Sequence, residues 1–257
     1  MCASISAWEY PYSCGIAGEL EARLRHCDGR AGPVDLDIRA CVFDAYGTLF
    51  DVNGPARRFA GEIGDKWASF SQTWRDKQLQ YTWLRTMMGT YKDFREVTAD
   101  ALDFAMEANG LSDPGLRARL LDLYNKIDAY PDAADTLKAL KASGRTTAIL
   151  SNGCTPMLSA GVTASGLGEL LDHVISVDGI KVNKPNPRVY ELVEEQMSVK
   201  PSNVLFVSSN AWDAHAAAHF GFNVIWLNRT GQPDERLPGA FAARGTQLAD
   251  VAKFLKA

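Results

Sequence analysis

The sequence predicts an α/β protein, a doubly wound parallel sheet interrupted after its first strand by an inserted α-helical cap. Three observations carry this. An apolar run at Ala40-Cys41-Val42-Phe43 suits a strand buried on both faces, and it ends on Asp44 before the chain turns at Gly47-Thr48. From Asn53 to about Tyr130 apolar residues recur at helical steps. Beyond Tyr130-Pro131, strand and helix signals alternate, as the βα units of a parallel sheet require.

Taken in order, residues 1 to 36 read as a poorly ordered N-terminal extension. They hold three of the five cysteines, a helix-like stretch from Glu19 to His26, and a polar end at Asp28-Gly29-Arg30-Ala31-Gly32-Pro33. No cationic stretch leads into an apolar one, so a signal peptide is not expected there. The core then comprises residues 37–52 and 131–257, with the cap at 53–130. Within the cap, Trp67, Phe70 and Trp74, then Tyr81, Leu84, Met87 and Met88, mark helical faces whose aromatics pack together. Asn109-Gly110 ends one helix, and Leu116 to Asp128 supplies another.

In the core, Asp132 to Ser143 is a helix stopped by Gly144. Thr146 to Leu150 is a strand ending on Ser151-Asn152-Gly153, and His173 to Val177 one ending near Asp178. Pro187 to Met197 is helical. Asn203 to Val207 is a strand ending on Ser208-Ser209-Asn210, Ala211 to Phe220 a helix stopped by Gly221, and Asn223 to Leu227 a last strand.

Composition narrows the function. The 257 residues are 46% hydrophobic and carry a net charge of -4 with signs interspersed, so no basic patch for nucleic acid appears. No apolar run reaches the roughly 18 residues of a membrane span. Five cysteines without a C-x-x-C pair make no disulfide framework, buried Cys41 reads as a small core residue, and a reducing cytoplasm fits.

Ligands of open α/β sheets bind at the carboxyl ends of strands. Asp44, Ser151-Asn152, Lys184 and Ser208-Ser209-Asn210 with Asp213 all fall at such ends or just beyond them. Each alone has an ordinary reading: a turn, a surface charge before Pro185, an acid in a first helical turn. Together, in this order, they form a site with Asp44 as candidate nucleophile.

These residues resemble the haloacid dehalogenase superfamily, and most closely its L-2-haloacid dehalogenases, over about residues 37 to 257. The resemblance rests on D-A-Y-G-T-L-F-D-V at Asp44 to Val52, W-R-D-K-Q-L-Q-Y-T-W-L-R at Trp74 to Arg85, L-S-N-G at Leu150 to Gly153, K-P-N-P-R-V-Y at Lys184 to Tyr190, and F-V-S-S-N-A-W-D at Phe206 to Asp213. It implies a Rossmann-like core and attack by Asp44 on the halogen-bearing carbon of a short L-2-haloalkanoic acid. Halide leaves, and water activated by Asp213 with Lys184 and Asn210 opens the aspartyl ester. It further implies that Arg75 meets the halide with Asn152 as partner, and that Thr48, Ser151 and backbone donors near Tyr46 hold the nucleophile or the substrate carboxylate. Leu79, Phe94 and Trp212 would form an apolar wall, with Tyr190 and Ser208 in support. The partners implied are a small halogenated carboxylic acid, halide, and a second copy of the chain as a homodimer through the cap.

Tyr46 distinguishes this reading from that of the superfamily's phosphatases, which place a second Asp there and hold magnesium through acidic residues and a backbone carbonyl. Tyr can do neither job at neutral pH, so no metal and no cofactor is expected. A phosphatase or phosphonate hydrolase, or a non-catalytic binding protein on this fold, stays open as an alternative. His215 and His219 have metal-ligand spacing but lack a third ligand, and Asn228-Arg229-Thr230 is a glycosylation sequon without a secretory context.

Overall fold

The structure is a computed structural model describing residues 36–257; the helix expected at Glu19 to His26, and the disorder expected around it, lie outside the described residues. Six parallel strands form one sheet: β1 (Ala40–Phe43), β2 (Thr146–Ser151), β3 (His173–Ser176), β4 (Val204–Ser208), β5 (Asn223–Leu227) and β6 (Ala243–Gly245), in the spatial order β3-β2-β1-β4-β5-β6. Central β1 is buried throughout, which is why its sequence is apolar without alternation. Phe43 is in register with Ile149 of β2 and Val207 of β4, so Asp44 leaves the sheet where the strand order reverses.

Between β1 and the rest of the core, the chain forms α1 (Gly54–Arg58), α2 (Ala60–Ile63), α3 (Trp67–Met87), α4 (Phe94–Ala108) and α5 (Pro114–Asn125). The helix read over Leu116 to Asp128 starts earlier, because the Asp113 carboxylate accepts from Gly115 N and Pro114 suits a first turn. A capping box between Asp93 and Glu96 starts α4. The long helices α3 and α4 pack face to face, and the Trp74 indole donates to the Thr98 carbonyl at 3.0 Å.

The core helices are α6 (Ala133–Ala142), α7 (Thr155–Ala164), α8 (Pro187–Met197), α9 (Ala211–Phe220) and α10 (Ala249–Leu255). On one face of the sheet, Val42, Leu150, Phe206 and Val224 pack with Val189, Tyr190 and Val193 of α8 and Ala214 and Ala217 of α9. Sequence periodicity did not reveal α7, β6 or α10. The three residues of β6, Ala-Arg-Gly, have little strand preference and are extended because they pair with β5. No helix among the described residues is long and apolar enough to cross a membrane.

Two glycines shape the strand ends. Gly47 has φ +97°, the left-handed conformation that folds the chain back after Asp44. At Gly153, after β2, a Cβ would lie 2.7 Å from Tyr46 Cε2 and 2.9 Å from Leu158 Cδ2. Gly153→Ala should therefore destabilise the fold by about 1–3 kcal/mol, because both neighbours are buried and tightly held. A lowered denaturant midpoint with unchanged slope would register this; an unchanged midpoint would mean Tyr46 has room to move.

Candidate active site

Asp44, at the end of β1, is buried and fully engaged. Its Oδ2 accepts from Thr48 Oγ1 at 3.0 Å and from Asn210 Nδ2 at 2.8 Å, while its Oδ1 lies 3.2 Å from Lys184 Nζ. Thr48 is fixed in turn, its Oγ1 accepting from Ser209 N at 2.8 Å. The nucleophile candidate is thus held between the turn after β1, the loop after β4 and the lysine.

Lys184 and Asp213 are both buried, and Lys184 Nζ donates to Asp213 Oδ2 at 2.9 Å. The ammonium bridges the two carboxylates. Asp213 also accepts from Tyr190 Oη on Oδ1 at 2.7 Å and from Ser208 Oγ on Oδ2 at 3.1 Å. Burial works against the lysine's charge, but the carboxylates of Asp213 and Asp44 outweigh it and raise its pKa above the ordinary lysine value. Burial raises the pKa of Asp213; Lys184 and the Tyr190 hydroxyl oppose that rise, and the charge of Asp44 adds to it. A carboxylate with raised proton affinity and three donors is equipped to take a proton from water.

Arg75 reaches the same crevice from α3. Its Nη2 donates to the Tyr46 carbonyl at 3.1 Å and to Asn210 Oδ1 at 3.2 Å, and its Nη1 donates to Gln78 Oε1 at 2.7 Å. The Tyr46 carbonyl also accepts from Asn210 Nδ2 at 3.2 Å. That oxygen faces two N–H donors. The Tyr46 ring is packed against Phe50, Phe94 and Tyr124, its hydroxyl is buried without a hydrogen-bond partner among the described residues, and burial pushes the hydroxyl's pKa up. The residue touches Arg75 and Asn210 through its backbone.

A cleft of about 320 Å³ opens beside this cluster, lined by Arg75, Leu79, Asn210, Trp212 and Trp226 among others. Trp212 of α9, on its wall, meets Trp83 of α3 edge to face, with ring centroids 5.2 Å apart.

A family model for haloacid dehalogenase-like hydrolases matches residues 38–221, a span that includes Asp44, Arg75, Lys184, Asn210 and Asp213. The chain belongs to that family. It is similar to (S)-2-haloacid dehalogenase 1 of Pseudomonas sp. (strain CBS-3), 51% identical over 217 residues, 84% of this chain and 94% of that one. It is also similar to (S)-2-haloacid dehalogenase 4A of Burkholderia cepacia, 48% identical over 77% of this chain and 86% of the relative. The solved L-2-haloacid dehalogenase of Xanthobacter autotrophicus, with chloropropionic acid covalently bound, superposes with a TM-score of 0.80. It is 38% identical over 85% of this chain and 98% of that one.

Within this haloacid dehalogenase-like site, several residues stand differently from their expected placement. Arg75 donates to Asn210 rather than to Asn152. The Asn152 side chain is turned to the lysine loop, where its Oδ1 accepts from Lys184 N at 2.8 Å. Ser151 Oγ accepts from Gly153 N at 3.0 Å and does not touch Asp44. Phe94 is buried against the Tyr46 ring and is not on the cleft wall, whereas Leu79 and Trp212 are. His215 is committed to the core, its Nδ1 on the Pro238 carbonyl at 3.0 Å and its ring on Phe241.

Two contacts of the site were not anticipated. Gln78 grips Arg75 from one turn further along α3, and three-residue spacing on a helix is the only signal it leaves. Arg229, noticed only as part of a sequon, donates to the Thr48 carbonyl at 3.0 Å and stacks over Tyr130 with 3.9 Å to the ring centroid. Nothing local in the sequence links it to Thr48, 181 residues away.

Because the Tyr190 hydroxyl holds Asp213 ionised, Tyr190→Phe should raise the carboxyl's pKa further. The acid limb of the pH profile should then move to higher pH, since more of Asp213 is protonated at each pH. Measuring kcat against pH checks the sign; an unmoved or downward-moved limb would separate Asp213 from the step that limits turnover at low pH.

Proposed function

We propose that this hydrolase converts short L-2-haloalkanoic acids to 2-hydroxyalkanoic acids with inversion, through an ester on Asp44. The chemistry is displacement at a saturated carbon. An Asp44 carboxylate oxygen attacks C2 opposite the halogen, the new C–O bond forms as the carbon–halogen bond breaks, and the halide leaves with the bonding electrons. Water then attacks the Asp44 ester carbonyl and Asp213 takes one of its protons; the ester's C–O bond to the carbonyl breaks, the other water proton passes to the departing alkoxide, and the proton on Asp213 is released to solvent. The hydroxy acid departs, and Asp44 returns as a carboxylate. Two easier steps thus replace direct attack by water.

Each group has a part in this scheme. Lys184 offsets the charge of both carboxylates in a crevice too dry for water to do so. Arg75, with N–H groups left over from its three acceptors, receives the departing halide, whose charge is largest in the transition state. Ser151, whose hydroxyl proton has no acceptor among the described residues, and Asn152 serve the substrate carboxylate. Asn210 and Thr48 aim the nucleophile. Leu79 and Trp212 border the alkyl group, Phe94 backs the Tyr46 ring, and Ser208 and Tyr190 steady Asp213. The helical insertion acts as the cap. A homodimer through the cap belongs to the same reading, supported by exposed Leu84, Met87 and Met88 on α3 and the turn after it, as does a cytoplasmic setting, supported by the free thiols Cys41 and Cys154.

The observation that carries the reading is the pair of donors on the Tyr46 carbonyl. In the superfamily's phosphatases the corresponding carbonyl helps hold magnesium. Here Arg75 Nη2 and Asn210 Nδ2 donate to it, and the Lys184 ammonium sits between the two carboxylates. Cationic and N–H donor groups face these oxygens where a metal ion needs oxygen ligands.

Halide release from L-2-chloropropionate tests the function directly. Activity should be indifferent to EDTA. Loss on chelation with recovery on adding magnesium would overturn the metal-free reading.

The two half-reactions separate in mutants. Asp213→Asn should still alkylate Asp44, releasing one halide per site and gaining the mass of the acyl fragment on the Asp44 peptide, and then stall. Arg75→Ala should slow that first release, most of all with chloride. Intact-protein mass spectrometry after acid quenching reads both. A folded, substrate-binding Asp213→Asn without adduct or halide would remove Asp213 from the second step, and an undiminished rate of halide release by Arg75→Ala would remove Arg75 from the first.

A further inference from the structure

The geometry points to Gln78 as a positioning residue that holds the Arg75 guanidinium in register for halide departure, with its own amide oriented by Thr98. This role depends on Arg75 receiving the halide, as proposed above. Gln78 is completely buried and Thr98 almost so, and neither touches Asp44, Lys184 or Asp213.

The hydrogen bonds of these residues can run in only one direction. Thr98 Oγ1 lies 2.6 Å from the Phe94 carbonyl, which only accepts, so the single hydroxyl proton of Thr98 is spent there. Toward Gln78 the same oxygen can only accept, and it takes the Gln78 Nε2 proton at 2.7 Å. That leaves Oε1 facing Arg75 Nη1, a group that only donates, at 2.7 Å. Inverting the amide would set oxygen against oxygen at Thr98 and N–H against N–H at Arg75, so both ends dictate one orientation.

The anchors behind this chain are themselves tied down. The Trp74 indole donates to the Thr98 carbonyl at 3.0 Å, Thr82 Oγ1 donates to the Gln78 carbonyl at 2.7 Å, and the buried Tyr124 hydroxyl lies beside the same amide.

The consequence falls on Arg75. Its Nη2 is committed to the loops of the core, at the Tyr46 carbonyl and Asn210 Oδ1, and its Nη1 to Gln78 within the helical insertion. A guanidinium fixed at both ends in this way has its plane and reach set before substrate arrives. The Nε–H and the second Nη1–H, on opposite edges of the guanidinium, are each left open to a leaving anion without reorganisation. Without Gln78 the arginine keeps its charge but loses one of its two anchors.

The test uses kcat/KM for L-2-chloro-, L-2-bromo- and L-2-iodopropionate, which reports on the steps up to halide release. Chloride concentrates its charge most and needs a placed donor most. Gln78→Met, similar in length but without donor or acceptor, should lose on the order of tenfold with chloride and much less with iodide, a fraction of what deleting a direct transition-state donor costs. The double variant Arg75→Ala/Gln78→Met should be no worse than Arg75→Ala alone, as expected of a residue acting through another.

Three results would overturn the proposal: an equal loss across the three halides, no loss at all, or additive losses in the double variant. If Gln78→Met does not fold, Thr98→Val decides. It keeps the core's shape, frees the amide to turn, and should show the same chloride-weighted loss at about threefold. A flat profile for Thr98→Val would then refute the orienting chain. Arg75→Ala run alone separates this proposal from the reading beneath it, because a loss there that does not depend on the halide removes Arg75 from halide departure whatever Gln78 does.

Discussion

One ammonium group between two buried carboxylates governs this structure. Removing ions of this size from water costs several kcal/mol each even after relaxation, and a pair returns that cost only when every remaining oxygen and proton is satisfied. Asp44, Lys184 and Asp213 carry one excess negative charge, so dipoles must make up the difference. Thr48 and Asn210 supply them to Asp44, and Tyr190 and Ser208 to Asp213. The lysine is steered by the Asn152 side chain on its backbone N–H, while its ammonium lies 4.9 Å from the centroid of the Phe206 ring. Most of the polar residues at the carboxyl ends of β1, β2 and β4 serve this one constraint.

The helical insertion answers a different requirement. A second positive group stands beside the crevice on the insertion and not on an element of the sheet. α3 brings Arg75 there, and polar contacts bind the insertion to the core around it: Arg75 to the Tyr46 carbonyl and Asn210, the Tyr91 hydroxyl to Asp178 at 3.0 Å, and Asn183 to Thr86 at 3.0 Å. Asp178 also accepts from Thr155 N at 2.7 Å, so the carboxylate that grips the insertion also caps the first turn of α7. Arg75 owes its position to both halves of the molecule.

Much of this was legible in the chain, and the reasons are local. Pro187–Met197, Ala211–Phe220 and Asn223–Leu227 have the limits expected of them because Pro, Gly and apolar periodicity mark their ends. Asp44, Lys184, Asp213 and Asn210 converge because strand ends in a parallel sheet must converge. What sequence could not show was which polar atoms pair. Asn152 turns to the Lys184 backbone, Ser151 closes on Gly153, and Phe94 backs a tyrosine, all outcomes of packing between segments distant in the chain. The segments α7, β6 and α10 were missed for separate causes. β6 is three residues of little strand preference held by its pairing with β5, α10 is seven residues, too short to display a periodic face, and α7 is broken in pattern by Gly161.

The edge-to-face contact of Trp83 with Trp212 spans the junction of insertion and core, with Trp212 on the wall of the crevice. Two indoles this close couple as chromophores. The near-ultraviolet circular dichroism and the emission of the pair follow their separation and tilt. The protein therefore carries an intrinsic optical gauge of the contact between insertion and core, one that needs no label and that a conservative replacement of either indole would silence.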